Sequence, residues 1–448
     1  MANLTTCGGG RGLFIKIGLS CAKIYCTRMN ILLQQVTIAD PHSPYHGMVK
    51  DVLVIDGVIA QISDAISSHG VDTVLPGLTV SPGWVDIFSH FCDPGFEYRE
   101  TLETGAAAAA AGGYTQVFAL PNTSPAIQNK PQAEYVVHKS TALPLTIHPL
   151  GAVTKGLEGK DLAEMYDMYA GGAIAFTDGI FPVQSAGVLV KALQYVKAFN
   201  GVIIQLPQDK SMGQHGLMNE GVVSTQLGLP GIPAIAEELI IQRDIELLAY
   251  AGSRLHITGV STAKGLQLIK NAKEAGLDIT CSVTPYHLFF CDEDLQTYDT
   301  NLKVNPPLRT RQDMLLLREG VKNGWVDCIA SHHIPQNWDG KTCEFEYAKN
   351  GMLGLQTAFA AVNTAVPGLT NTALANMFSL NARRIFNLPL PTVQEGAAAE
   401  LTFFNTQETF VLQNENILSK SHNSAFTNVP LQGKVHGITA KGATVLNK

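Results

Sequence analysis

Charge is scarce in this chain. Asp, Glu, Lys and Arg make up 15 % of 448 residues and leave a formal net charge of −7. That balance argues against a general binder of phosphate backbones, which needs a concentrated basic surface, so no nucleic-acid partner is expected. Long apolar runs are missing as well. Nowhere do about 18 uninterrupted apolar residues follow one another, so no membrane span is expected. The eight cysteines, at 7, 21, 26, 92, 281, 291, 328 and 343, include no CxxC pair. This pattern suits neither a zinc knuckle nor a disulfide framework and points to reduced thiols in a cytoplasmic protein. There is no short-period repeat. What remains is a chain 46 % hydrophobic with 41 Gly and 13 His, too apolar for a disordered polymer. It is long enough for two or three domains, or for one large barrel with an appendage, and it can bury a core without disulfide or metal staples.

Residues 1–28 stand apart. They carry GGGRG at Gly8–Gly12, and their apolar stretch is interrupted by Lys16 and Lys23, which a secretory h-region avoids. Leu19-Ser20-Cys21 is a weak match to a lipoprotein cleavage site. The preferred reading is an N-terminal extension outside the fold, with folding starting at Met29.

From Met29 the pattern is short and strand-like: NILLQQVTIAD, then MVKDVLVIDGVIAQIS, with Asp56-Gly57 between two apolar runs as a hairpin signal. The other end, from AAELTFFN through TFVLQ to KVHGITAKGATVLN, reads the same way. Residues 29–78 and 393–448 are therefore expected to build one small β-sandwich-like domain from both chain ends. In the middle, residues 79–392, apolar runs alternate with helical stretches. The runs are Thr79–Ile87, Gln116–Leu120, Leu145–His148, Ala173–Phe176, Gly201–Gln205, Arg254–Thr258, Asp278–Val283 and Asp327–Ala330. Eight strands alternating with helices predict a (β/α)8 TIM barrel within an α/β protein. A doubly wound open sheet is the alternative, but no GxGxxG follows the first strand. Barrel chemistry lies at the C-terminal strand ends, which here carry Asp86 to His90, Asn122, Asp178, Gln205 to Gln208, His256 to Gly259, and Ser331 to His333.

At those residues the sequence resembles the dihydroorotases, cyclic amidohydrolases of pyrimidine synthesis, in the form that associates with aspartate transcarbamoylase. The carrying segments are Ser81–Gly105, Gly112–Pro125, Ala175–Gly179, Leu227–Glu238, VSTAKG, VTPYHL, Asn301–Arg309, Ile329–Pro335 and GLQT. The resemblance implies an amidohydrolase-type barrel with a metal centre, yet the motif positions are largely changed. The D-x-H-x-H motif reads Asp86-Ile87-Phe88-Ser89-His90, so one ligand position holds Phe88 and only His90 persists. The family's substrate-binding arginine falls at Cys92. The bridging acidic position is matched by Asp178. The strand-5 histidine falls at Gln205 and the strand-6 metal histidine at Gly259, although His256 is kept. The catalytic aspartate falls at His332 and the substrate-facing histidine at Gln336.

A catalytic zinc needs about three protein ligands and an open position. Phe88 has no donor atom, Gly259 has no side chain, and Gln205 is a poor ligand. Metal activation lowers the pKa of water from about 16 to about 7, so losing it is a handicap of many orders of magnitude. No metal and no catalytic residue are therefore expected, with His90 and Asp178 as remnants. His332, with or without His90, is expected to pair with Asp178, while Phe88 fills the space of the lost imidazole. Asn122, Asn305 and Gln336 form the expected remnant of a substrate site, and Arg309 either belongs to it or braces a loop. The resulting expectation is a non-catalytic structural partner of aspartate transcarbamoylase, as a homodimer. The alternatives are a working cyclic amidohydrolase with one zinc held among His90, Asp178, His332 and His333, and a small-molecule sensor.

Overall fold

The computed structural model describes residues 29–447; the extension expected at residues 1–28, with Cys7, Cys21 and Cys26, lies outside the described residues. Eight parallel strands follow one another around a barrel: Trp84–Ser89, Tyr114–Ala119, Thr146–Gly151, Ala175–Phe176, Ile203–Gln205, Leu255–Ile257, Ile279–Val283 and Cys328–Ile329. A bridge between Ser89 and His333 brings the last strand's extension back to the first. The order is the sequence order throughout, each barrel strand lying beside the next one along the chain.

The helices begin where side chains can accept the unpaired N–H groups of a first turn. Ser185 caps Ala186–Lys197, Thr262 caps Ala263–Glu274 and Thr310 caps Arg311–Lys322. The alanine-rich run lies in Leu102–Ala111, capped by Thr101, and its small side chains let the helix sit close to the barrel wall.

Both chain ends meet in a second, eight-stranded sheet. Asp56 and Gly57 have φ of 49° and 77° and turn Val49–Ile55 into Val58–Ser63, the positive-φ pair that a tight hairpin uses. Lys441 and Gly442 repeat the device between Pro430–Ala440 and Ala443–Leu446. The run Thr79–Ile87, expected as one strand, serves two sheets. Thr79–Pro82 pairs with Leu401–Val411 in the end sheet, and Trp84–Ser89 enters the barrel. The break falls at Gly83, where a Cβ would lie 2.3 Å from the Thr115 hydroxyl oxygen.

Two buried devices lock the sheet to the barrel. Trp84 is enclosed by Phe378, Phe359 and Phe404, with ring centroids 4.9, 5.1 and 5.2 Å away. A ring of that kind contributes about 1.5–3 kcal/mol on burial. Arg383, fully buried, donates to the carbonyls of Gly83 and Pro389 and to the Glu400 carboxylate. Among the described residues no helix is long and apolar enough to cross a membrane.

Candidate functional site at the barrel mouth

The C-terminal ends of the first, sixth and eighth strands meet around a stacked pair of rings. Phe88, with no donor atom, lies against the His332 imidazole with centroids 4.3 Å apart and planes 26° from parallel. Both are buried. Phe88 therefore has His332 as its packing neighbour. Gly259 makes room for the same imidazole. Its φ is +70°, and a Cβ there would come within 2.6 Å of His332 Cε1. Phe88, Gly259 and His332 are therefore geometrically interlocked, and a larger residue at 259 cannot coexist with this imidazole position.

The expected pair between His332 and Asp178 does not form. Asp178 Oδ1 accepts the backbone N–H groups of Val153 and Thr154, each at 2.9 Å, and Oδ2 accepts the Thr154 hydroxyl at 2.5 Å. Burial raises its carboxyl to about 6, against the pull of these donors. Backbone and hydroxyl donors just after the third strand, 24 and 25 residues away in sequence, hold the carboxylate and so take the place assigned to a histidine. His332 Nε2 instead meets Thr258 Oγ1 at 2.8 Å, and Nδ1 has no partner.

His90 also turns away from Asp178. Its Nε2 lies 2.8 Å from the Asn122 carbonyl oxygen, which can only accept, so Nε2 carries the proton. Burial, helped by the Arg99 charge, lowers this imidazole to about 4. Asn122 itself donates to the Asp178 carbonyl at 3.1 Å and accepts from the Ile180 N–H at 3.2 Å, bracing one strand end against another. Gln205 pairs in both directions with the Val183 backbone. Asn305 donates to Gln208 at 3.0 Å, and Gln336 to the Asn350 carbonyl at 2.8 Å, leaving Gln336 Oε1 buried and unpartnered. Cys92 is buried, and its thiol is pushed up to about 12 by desolvation. Arg309 is a brace. It donates to Ser261, Asn219 and the Ile232 carbonyl and approaches Glu237 at 3.7 Å.

His333 leaves the mouth altogether. Gly354 N–H donates to its Nδ1 at 3.3 Å, so Nε2 carries the proton toward buried Glu100, also at 3.3 Å. The set His90, Asp178, His332 and His333 is therefore not one cluster: each has its own partner on a different side. Among the described residues no three His, Cys, Asp or Glu side chains form a group that could hold a metal ion. The donor chemistry of the mouth does not fit the family's metal centre, because Asp178 already serves three local donors, Phe88 offers no donor atom, and the histidines are not convergent.

Several polar residues here were not singled out from the sequence. Thr154 holds Asp178, Glu100 holds His333, and Thr258, Thr280 and Ser282 surround His256 and His332. A signal existed for the last group. In RLHIT and DITCSV, His256, Thr258, Thr280 and Ser282 alternate with Leu255, Ile257, Ile279 and Cys281, the period that sends one set into a barrel and the other toward its helices.

The comparisons agree with this architecture. A family model described as dihydro-orotase-like matches residues 77–265. A dihydroorotase of Syntrophus aciditrophicus is 38 % identical over 423 residues, covering 93 % of this chain and 99 % of that protein. A dihydroorotase of Acetivibrio thermocellus is 37 % identical with the same coverage. Among solved structures, the L-hydantoinase (dihydropyrimidinase) of Arthrobacter aurescens superimposes with a TM-score of 0.78 at 23 % identity, over 94 % of this chain and 98 % of that one. At that identity the likeness speaks for the fold.

Proposed function

The chain belongs to the dihydroorotase-like family, and from that premise we propose that it is a non-catalytic member acting in the cytoplasm as a structural partner of aspartate transcarbamoylase. Its relatives named dihydroorotase support a dihydroorotase-like role in the pyrimidine pathway. The observation that carries the finer reading is the interlock of Phe88, Gly259 and His332. Three positions that the family resemblance assigns to metal and proton transfer hold a stacked apolar ring, a glycine and an imidazole that fit one another. Restoring a side chain at 259 would collide with the His332 imidazole that stacks on Phe88. An otherwise retained scaffold suits a chain whose surface is its product, and the homodimer is its proposed form because closed pairs are the commonest assemblies.

The test is co-purification of the tagged full-length chain with the transcarbamoylase of the same cell, followed by assay of that enzyme with this chain deleted. A stable complex, and transcarbamoylase activity lost on deletion, support the reading. A transcarbamoylase that is stable and fully active without this chain refutes it.

A second reading keeps the chain an active cyclic amidohydrolase with one zinc. The identity of 38 % to dihydroorotases over nearly the whole chain favours it. A ring-opening assay with dihydroorotate, on protein purified without chelator, separates the two.

A further inference from the structure

The polar residues of the barrel interior form a continuous line. Thr280 Oγ1 lies 2.9 Å from His256 Nδ1, and His256 Nε2 lies 3.0 Å from Ser282 Oγ. Ser282 Oγ lies 2.9 Å from Thr258 Oγ1, which lies 2.8 Å from His332 Nε2. Strand register builds the line: His256 is opposite Thr280 on the adjacent strand, and alternate residues share a face. Thr258, Ser282, His256 and His332 are fully buried, and Thr280 is half-buried. The line ends at His332 Nδ1, which has no partner.

We propose that Thr280, His256, Ser282, Thr258 and His332 form one proton wire, and that its open end at His332 Nδ1 is a binding position for a single uncharged hydroxylic group, a water or an alcohol.

Donor and acceptor capacity limits the states this line can hold. A hydroxyl has one proton to give, and a neutral imidazole carries one proton on one of two nitrogens. With every link made, only two arrangements exist. In one, each proton points toward His332: His256 carries its proton on Nε2, Thr258 donates to His332 Nε2, and His332 Nδ1–H is an open donor. In the other, each proton points back: His332 Nε2–H donates to Thr258, His256 carries its proton on Nδ1, and His332 Nδ1 is an open acceptor. The two histidines hold opposite tautomers in both. A mixed arrangement either leaves a buried hydroxyl proton without an acceptor or leaves the Ser282 and Thr258 oxygens facing each other with no proton between them, and either is costly. Burial also keeps both imidazoles neutral, lowering His256 to about 3 and His332 well below the usual histidine range. An ion seated against a neutral, buried imidazole would lack compensation. A hydroxyl serves either polarity, and shifting one proton per link converts one arrangement into the other when half-buried Thr280 takes up a proton from solvent and His332 Nδ1 passes its proton to the bound hydroxyl, which hands on its own.

The test uses the full-length chain with nitrogen-15-labelled histidine. Ring signals of His256 and His332 are assigned by loss in His256→Gln and His332→Gln, and tautomers are read from the ring nitrogens at neutral pH. The wire predicts opposite tautomers in the native chain and in Thr258→Ser, and an averaged mixture at His332 in Thr258→Val. The same tautomer on both rings, or a doubly protonated His332, overturns it, and the assigned native spectrum decides if the Thr258 variants do not fold. A high-resolution crystal structure supplies the second readout. An oxygen at about 2.7–3.2 Å from His332 Nδ1 supports the binding position. An empty position overturns it, as does an atom at the zinc–nitrogen distance of about 2.0–2.1 Å. The tautomer result bears on the wire alone, and transcarbamoylase co-purification bears on the proposed function alone.

Discussion

At the scale of single residues, the mouth of this barrel is governed by steric exclusion more than by charge. Gly259 combines a positive φ with a backbone so close to His332 that a Cβ would stand 2.6 Å from its ring, so Gly259→Ala meets backbone strain and overpacking together. Its expected cost is about 1–3 kcal/mol, read as a lower urea midpoint. In a His332→Ala background the overpacking part disappears, so the same substitution should cost measurably less. Equal costs in both backgrounds would show that the two residues do not touch. Asp178 offers a complementary case. Thr154→Val removes a hydroxyl that donates to a buried carboxylate at 2.5 Å, and stability should fall by about 1.5–3 kcal/mol at pH 7. An unchanged midpoint would mean that this carboxylate has other partners to turn to.

At the scale of elements, the joint between sheet and barrel concentrates on one guanidinium. Arg383 is fully buried, while the Glu400 side chain keeps 25 % of its exposure. Arg383→Leu leaves the Pro389 carbonyl without its donor, the Gly83 carbonyl with the Ser379 hydroxyl alone, and Glu400 without its cation, so a loss of about 3 kcal/mol is expected. Glu400→Gln, partly solvated, should lose less. The reverse order in chemical denaturation would contradict this account of the joint. Much of this level is legible in the sequence. Period-2 runs, the Asp56-Gly57 turn and the eight strand-helix alternations all express local chemistry that the chain states outright. The run from Thr79 to Ile87 reads as one strand because its division depends on Thr115 crowding Gly83, a contact 32 residues away by sequence number. The partner of Asp178 is hidden for a related reason. Its charge can be seen, but the choice between a distant imidazole and the nearby Thr154 is made by the loop geometry after the third strand.

At the scale of the whole molecule, buried neutral histidines make stability fall with acid. His90 and His148 are lowered to about 4 and His256 and His287 to about 3, each chiefly by desolvation, and His332 is lowered as well. An unfolded histidine takes up its proton near pH 6.5. Below that the unfolded chain binds protons the folded chain refuses, and each such histidine removes about 1.4 kcal/mol per pH unit. Their stabilisation is complete above pH 6.5 and declines as pH falls toward 4. Asp178, raised to about 6, and Asp244, raised to about 7, act in the opposite sense over the same interval, since the folded chain holds their protons longer. Asp86 and Asp292 are raised by burial too, so five histidines stand against four carboxyls; the histidines prevail, and the urea midpoint should drop between pH 7 and pH 5. A midpoint that stays level or rises would show that the histidines protonate in the folded state.

The barrel, its end sheet and its family ancestry are those of a hydrolase, while the mouth is closed by an apolar ring, a glycine and a neutral imidazole. The most direct test of that reading is the metal content of the chain, purified without chelator and then dialysed against zinc. Less than about a tenth of an equivalent should be retained, because among the described residues the three ligands a catalytic zinc requires are not assembled. One tightly held equivalent of zinc, with dihydroorotate ring-opening activity that is lost on chelation, would contradict it.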